Sequence, residues 1–187
     1  MVIICDIFKK KEENYMDILI QVIGAFGYSI LAFSYFRKVK LDILLMQIIA
    51  YVFFTIHYYM LNGITGAICN VIGGVALIII FLFEKFKLKN KNILIICMVP
   101  ITIIISIITY QNIYSIFPII ASISVILSFI SSDENVIRFV GLLSAICWLG
   151  YAIMYKSYVA IVFEVITLIF VVVATIKNYK KVNSDKK

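Results

Sequence analysis

The sequence predicts an all-α membrane protein: seven transmembrane helices arranged as two parallel three-helix repeats joined by a linker helix, three plus one plus three. Three observations carry this. The 187 residues are 64% hydrophobic with a mean hydropathy of +1.08, well above the ~45–50% apolar content of soluble domains. The apolar residues fall into seven runs, at about 17–36, 42–61, 65–84, 92–109, 114–131, 136–155 and 158–177. Each run has the ~17–25 residues that an α-helix needs to cross a bilayer. Finally, the chain matches itself at a constant offset of 94 residues. Spans and short loops consume the whole length, so no separate soluble domain is expected.

Taken in order, residues 1–16 read as a tail. MVIICDIF is followed by Lys9, Lys10 and Lys11, whereas a secretory signal puts its positive charge first and carries a longer apolar core. No cleavable signal is read. The first helix is expected just after Met16, and residues 1–15 are expected to be dispensable, an extension ahead of the native start. Residues 17–84 form the first three-helix repeat. Runs such as ALIIIFLF do not alternate apolar with polar, which excludes the strands of a closed β-barrel. Residues 85–113 hold a basic loop and the linker helix, 114–177 the second repeat, and 178–187 a basic tail. Loops of a few residues make consecutive helices antiparallel neighbours.

The net charge of +7 belongs to the bilayer rather than to nucleic acid, because the basic residues sit at span ends and not on one continuous soluble face. Of the 17 basic residues, 13 fall on one side: Arg37, Lys38, Lys40, four lysines between 85 and 91, Arg138 and five tail lysines. Cytoplasmic loops retain Lys and Arg. The C-terminus is therefore expected inside and the N-terminus outside.

Cys5, Cys69, Cys97 and Cys147 are scattered, with no pair at metal-ligand spacing, and read as small apolar residues. No metal, cofactor or enzymatic activity is expected. The chain has neither a zinc-protease helix motif, a phosphate loop nor a nucleophile elbow, and its single histidine and single intramembrane acid make a catalytic centre hard to assemble.

The offset of 94 places Gly24 on Pro118, Phe54 on Trp148, His57 on Tyr151, Gly66 on Ala160 and Asn70 on Glu164. One register thus aligns all three helix pairs and superposes the two intramembrane polar residues. A helix intervenes, so the triplets share one orientation, a plan known among transporters.

At helical periodicity the polar letters become stripes. Helix 1 offers Gln21, Gly24 and Tyr28; helix 2 Gln47, Ala50, Phe54 and His57; helix 3 Gly66, Asn70 and Gly74. Helix 5 offers Pro118 and Ser122; helix 6 Gly141, Ser144, Trp148, Tyr151 and Tyr155; helix 7 Ala160, Glu164 and Thr167. At ~1.5 Å per residue, Asn70, Glu164, Trp148 and His57 fall in one layer roughly 6–11 Å from the outer boundary. Glu164 dominates that layer, since an ionised carboxylate in hydrocarbon costs at least ~2.5 kcal/mol and normally faces other helices or a wet cavity. His57 in the same layer is a partner for it, and such a pair can exchange a proton. Each residue also has a plainer role: Asn70 as an interhelical hydrogen-bond donor, the glycines as close-packing points, Trp148 as a packed or interfacial aromatic.

From Ile18 to Lys181 the chain resembles the YgjV type of small bacterial inner-membrane proteins, whose activity is unassigned. The likeness lies in His57-Tyr-Tyr-Met-Leu-Asn-Gly-Ile-Thr65-Gly66-Ala67 with Asn70, and in Trp148-Leu-Gly-Tyr151 followed by Ser157 and Glu164. The resemblance implies the bacterial cytoplasmic (inner) membrane. This chain has Gly73 and Gly74 where the family often has a basic residue, and Ala152 where it has Asn. The three plus one plus three plan more distantly resembles the SWEET, SemiSWEET and PQ-loop carriers. That resemblance implies pocket roles for Asn70 and Trp148 and hinge roles for Pro118 and Gly24; the proline-glutamine signature is absent.

Two functions follow as expectations. The first is passage of a small polar solute between the triplets, along a path lined by Asn70, Trp148, Glu164, Tyr151 and Phe54 with His57 nearby. The second is a non-transporting sensor or assembly partner whose polar layer fixes helix register. Either is compatible with a homo-oligomer in the lipid bilayer.

Overall fold

The computed structural model describes the backbone of residues 2–34, 36–88, 93–128 and 134–184, and the side chains of 15–34, 36–88, 97–127 and 139–173. Among the described residues there are seven α-helices and no strand: α1 Val2–Ser34, α2 Lys40–Met60, α3 Ile64–Lys85, α4 Ile93–Ile108, α5 Ile116–Ser128, α6 Glu134–Met154 and α7 Tyr158–Ser184. A 3-10 turn, Ile113–Ser115, precedes α5. The side chains of Cys5, Lys9 to Lys11, Lys89, Lys91, Arg138 and the tail lysines lie outside the described set.

One expected boundary is absent. Helix α1 does not begin after Met16 but runs back to Val2. The stretch before Met16 contains neither Gly nor Pro, so nothing in it terminates a helix. Its segment Tyr15–Ser34 is long and apolar enough to cross a membrane. Lys40–Met60 and Ile64–Lys85 also qualify, and the described parts of α4 to α7 are shorter apolar helices. Phe26, Val52, Ile78, Ile107, Ile146 and Phe170, on six different helices, are all exposed. Apolar side chains turned outward on every side are a liability in water and are what lipid solvates.

Helix α2 packs on α1 and α3, α6 packs on α5 and α7, α1 meets α7, and α3 meets α5. Six helices therefore close a ring, with α4 lying against α3 and α5. Ala50, Ala152 and Ala160 are fully buried where α1, α2, α6 and α7 converge; small residues let membrane helices approach closely. A second apolar cluster joins Leu44, Ile72, Leu77, Met98 and Ile126 on the other side.

The turns α2–α3 and α6–α7 have the same construction. Asn62 and Lys156 take positive φ, 60° and 54°. The next amides reach back five residues, Gly63 N to Tyr58 O at 2.8 Å and Ser157 N to Ala152 O at 2.9 Å. This is the left-handed helix cap, and Lys87 closes α3 in the same way. What distinguishes the first two is a glutamine clamp. Gln111 Nε2 donates to Asn62 O at 3.1 Å and its Oε1 accepts from Ile64 N at 2.9 Å. Gln21 Nε2 donates to Lys156 O at 3.2 Å and its Oε1 accepts from Val159 N at 3.2 Å. Gly63 and the first turn of α3 offer no side-chain cap of their own, so the clamp satisfies amides that a helix start leaves open.

Candidate functional site

Inside the ring lies a cavity of about 260 Å³. Every helix of the ring contributes to its wall: Tyr28 and Leu31 from α1, Gln47, Tyr51, Phe54 and Tyr58 from α2, Asn70 and Leu77 from α3, and Val125 from α5. Helix α6 adds Gly141, Ser144, Ala145 and Trp148, and α7 adds Glu164 and Thr167. The size is close to the ~300 Å³ lower end of small-molecule sites.

Asn70, Trp148, Glu164 and Phe54, singled out from sequence, all reach this wall. Asn70 is buried and donates from Nδ2 to Gly66 O of its own helix at 3.0 Å, which leaves its oxygen and second N–H for other partners. Trp148 lies against Tyr58, ring centroids 5.5 Å apart, and edge-on to Tyr151 at 6.0 Å. Tyr28 Oη donates to Glu164 Oε1 at 3.3 Å. Its ring stacks on Phe163 at 4.7 Å and tilts against Phe54 at 4.6 Å, so aromatic packing holds the carboxylate's partner in place.

His57 does not pair with Glu164. It is fully buried on the α1 side of α2, with Nδ1 2.8 Å from Ile20 O and Nε2 2.6 Å from Ser157 Oγ. A carbonyl only accepts, so Nδ1 carries a proton and donates to it, while Nε2 pairs with the Ser157 hydroxyl. Gly24 makes room for this. A Cβ there would come within 2.8 Å of the imidazole. Tyr151 also stands back from the cavity wall: fully buried, its hydroxyl accepts Gly66 N–H at 3.0 Å. Pro118 is fully buried in the first turn of α5, where a missing N–H costs a helix little.

Tyr58 is the residue the sequence reading passed over. It is 1% exposed and lines the cavity. Its hydroxyl is buried, with no hydrogen bond of good geometry among the described residues but with the Tyr28 and Ser157 hydroxyls as close polar neighbours. The signal was present but ambiguous: helical spacing from Gln47 admits 50, 54, 57 as readily as 51, 54, 58. The fold uses both, with Ala50 and His57 buried against neighbours and Tyr51 and Tyr58 on the cavity.

Gly73 is explained by the same wall. A Cβ at this position would meet Tyr51 Cε1 at 2.4 Å, so the glycine lets the Tyr51 ring cross α3.

No curated protein and no solved structure matches the chain. The family described as Imp-YgjV, bacterial inner membrane protein, matches residues 18–182, nearly the whole apolar bundle. That match, over a ring of helices whose apolar side chains face outward, places the chain in the Imp-YgjV family of bacterial inner membrane proteins.

Proposed function

We propose that the protein passes a small polar solute across the inner membrane through the cavity of the six-helix ring, by rocking of one triplet, α1–α3, against the other, α5–α7. The observation that carries this reading is the wall itself: a carboxylate held inside an apolar bundle, in a space contributed by all six helices.

Two further features support the division into triplets. The contacts between them, α1 with α7 and α3 with α5, exchange under the 94-residue offset. So do the clamped turns, with Asn62 matching Lys156 and Gly63 matching Ser157. The polar rings also cross over reciprocally, His57 of α2 onto Ser157 and Tyr151 of α6 onto Gly66. SWEET-type carriers share this plan, and Gly24 and Pro118 lie at matching positions for a hinge. In this reading the basic ends of α2 and α3, joined by Lys40 Nζ to Glu84 at 2.7 Å, face the cytoplasm with the C-terminus, and the N-terminus faces outward. The role is passage, with no chemical step.

Counterflow in proteoliposomes tests it, using radiolabelled sugars, amino acids, nucleosides and amines. At least one class is expected to exchange faster than in protein-free vesicles, with the rate lost in Glu164→Gln. If no class exchanges while a stable protein partner copurifies, the assembly-partner reading replaces this one.

A further inference from the structure

The cavity's chemistry is one-sided. None of the described side chains lining it is lysine, arginine or histidine, yet it holds the carboxylate of Glu164. Three polar groups of its wall have partners inside the protein. Tyr28 gives its hydroxyl proton to Glu164, Thr167 gives its own to Phe163 O at 2.9 Å, and Asn70 spends one N–H on Gly66 O. Gln47, Ser144 and Trp148 also line the space, while the Tyr58 hydroxyl is buried beside those of Tyr28 and Ser157. Around them stand aromatic rings: Tyr28 and Phe54 at 4.6 Å, Tyr51 and Phe54 at 6.0 Å, Tyr58 and Trp148 at 5.5 Å.

An anion needs a positive charge, and the described part of the wall offers none. An organic cation needs what is present: a carboxylate in a low-dielectric site, and π-systems whose negative quadrupole attracts positive charge within ~6 Å. It also resolves the cost of burying Glu164, because a charge inside a membrane is normally compensated by an opposite one. We infer that the cavity takes a small organic cation, an alkylammonium or related onium group, held between the Glu164 carboxylate and the rings of Tyr28, Tyr58 and Trp148. The inference rests on reading the cavity as a solute site and names the solute's class.

Three probes of one shape separate charge from shape: choline, its neutral isostere 3,3-dimethylbutan-1-ol, and the anion 3,3-dimethylbutyrate. Ethylammonium and guanidinium extend the cation series. Thermal unfolding of the full chain in detergent is measured with each, and choline affinity by equilibrium binding. A cation is expected to raise the unfolding temperature while the alcohol and the acid leave it unchanged. Glu164→Gln, which preserves shape and the Tyr28 contact, is expected to weaken cation binding by about tenfold or more. The inference is overturned if the neutral isostere stabilises as well as choline, if Glu164→Gln keeps the full cation response, or if none of the three cations shifts unfolding. Cation binding without counterflow removes the transport reading and leaves the cation site; exchange of neutral solutes without cation binding does the reverse.

Discussion

Gly66→Ala tests how tightly α3 and α6 are interlocked. A Cβ on residue 66 would stand 2.3 Å from Tyr151 Cε1, 2.8 Å from Cζ and 2.9 Å from the hydroxyl oxygen. To regain ordinary contact the ring must retreat by roughly 1 Å. It has nowhere to go: Tyr151 is fully buried, with the Tyr155 ring centroid at 4.5 Å and that of Tyr58 at 5.3 Å. Retreat also breaks the 3.0 Å bond from Gly66 N. Overpacking costs ~1–3 kcal/mol, an orphaned buried N–H ~1–3 kcal/mol, and the better helix propensity of alanine returns ~1 kcal/mol. A net loss of ~1–5 kcal/mol corresponds to an unfolding temperature lower by roughly 2–20 °C in a chain of this size. The buried thiols of Cys69 and Cys147 report unfolding through a thiol-reactive dye once Cys5 and Cys97 are replaced by serine. Gly141→Ala is the control, since a Cβ there meets nothing within 4 Å, and it should be neutral or stabilising by up to ~1 kcal/mol. If Gly66→Ala unfolds within ~2 °C of the parent, or if Gly141→Ala falls as far, the interlocking argument is wrong.

Other predictions use the same assay or simple labelling. Glu164→Gln retains an acceptor for Tyr28 Oη and should unfold within ~2 °C of the parent, whereas Glu164→Leu strands that hydroxyl and should lose ~1–3 kcal/mol; equal losses in the two would mean that the charge itself is structural. Ser157→Ala removes the partner of the fully buried His57 Nε2 and should cost ~1–3 kcal/mol, so an unchanged unfolding temperature would show that this bond is dispensable. Gln21→Ala and Gln111→Ala remove equivalent clamps from matching turns and should each cost ~0.5–1.5 kcal/mol; a tenfold difference in rate of turn proteolysis between them would break the equivalence. A reporter fused after Lys187 should be cytoplasmic and a cysteine in place of Asn62 should label from outside, the opposite pattern reversing the orientation.

Several features of the site were legible in the letters. Asn70, Trp148 and Glu164 reach one cavity because each stands out against its run: a polar group at membrane depth persists only where other helices receive it. Of the polar stripes, Tyr28, Gln47, Phe54, Ser144, Trp148 and Thr167 line the wall, whereas Gln21, Gly24, His57 and Tyr151 do not. On α2 a 3.6-residue repeat leaves two adjacent faces equally apolar. Local pattern alone had no means of choosing between His57 and Tyr58.

What the sequence determined by itself is the solvent and the secondary structure. Apolar runs of span length leave backbone groups no partner but their own helix, so membrane and helix follow together from composition. What only the tertiary structure decided is which polar groups meet. His57 bonds to Ile20 O and Ser157, 37 and 100 residues away, Glu164 meets Tyr28 across 136 residues, and Gly66 receives Tyr151 across 85. These pairings depend on ring order and on which small residues let two helices close up, such as Gly24 under the imidazole and Gly66 under the phenol. No periodicity along one helix encodes them, because the deciding distances run between helices.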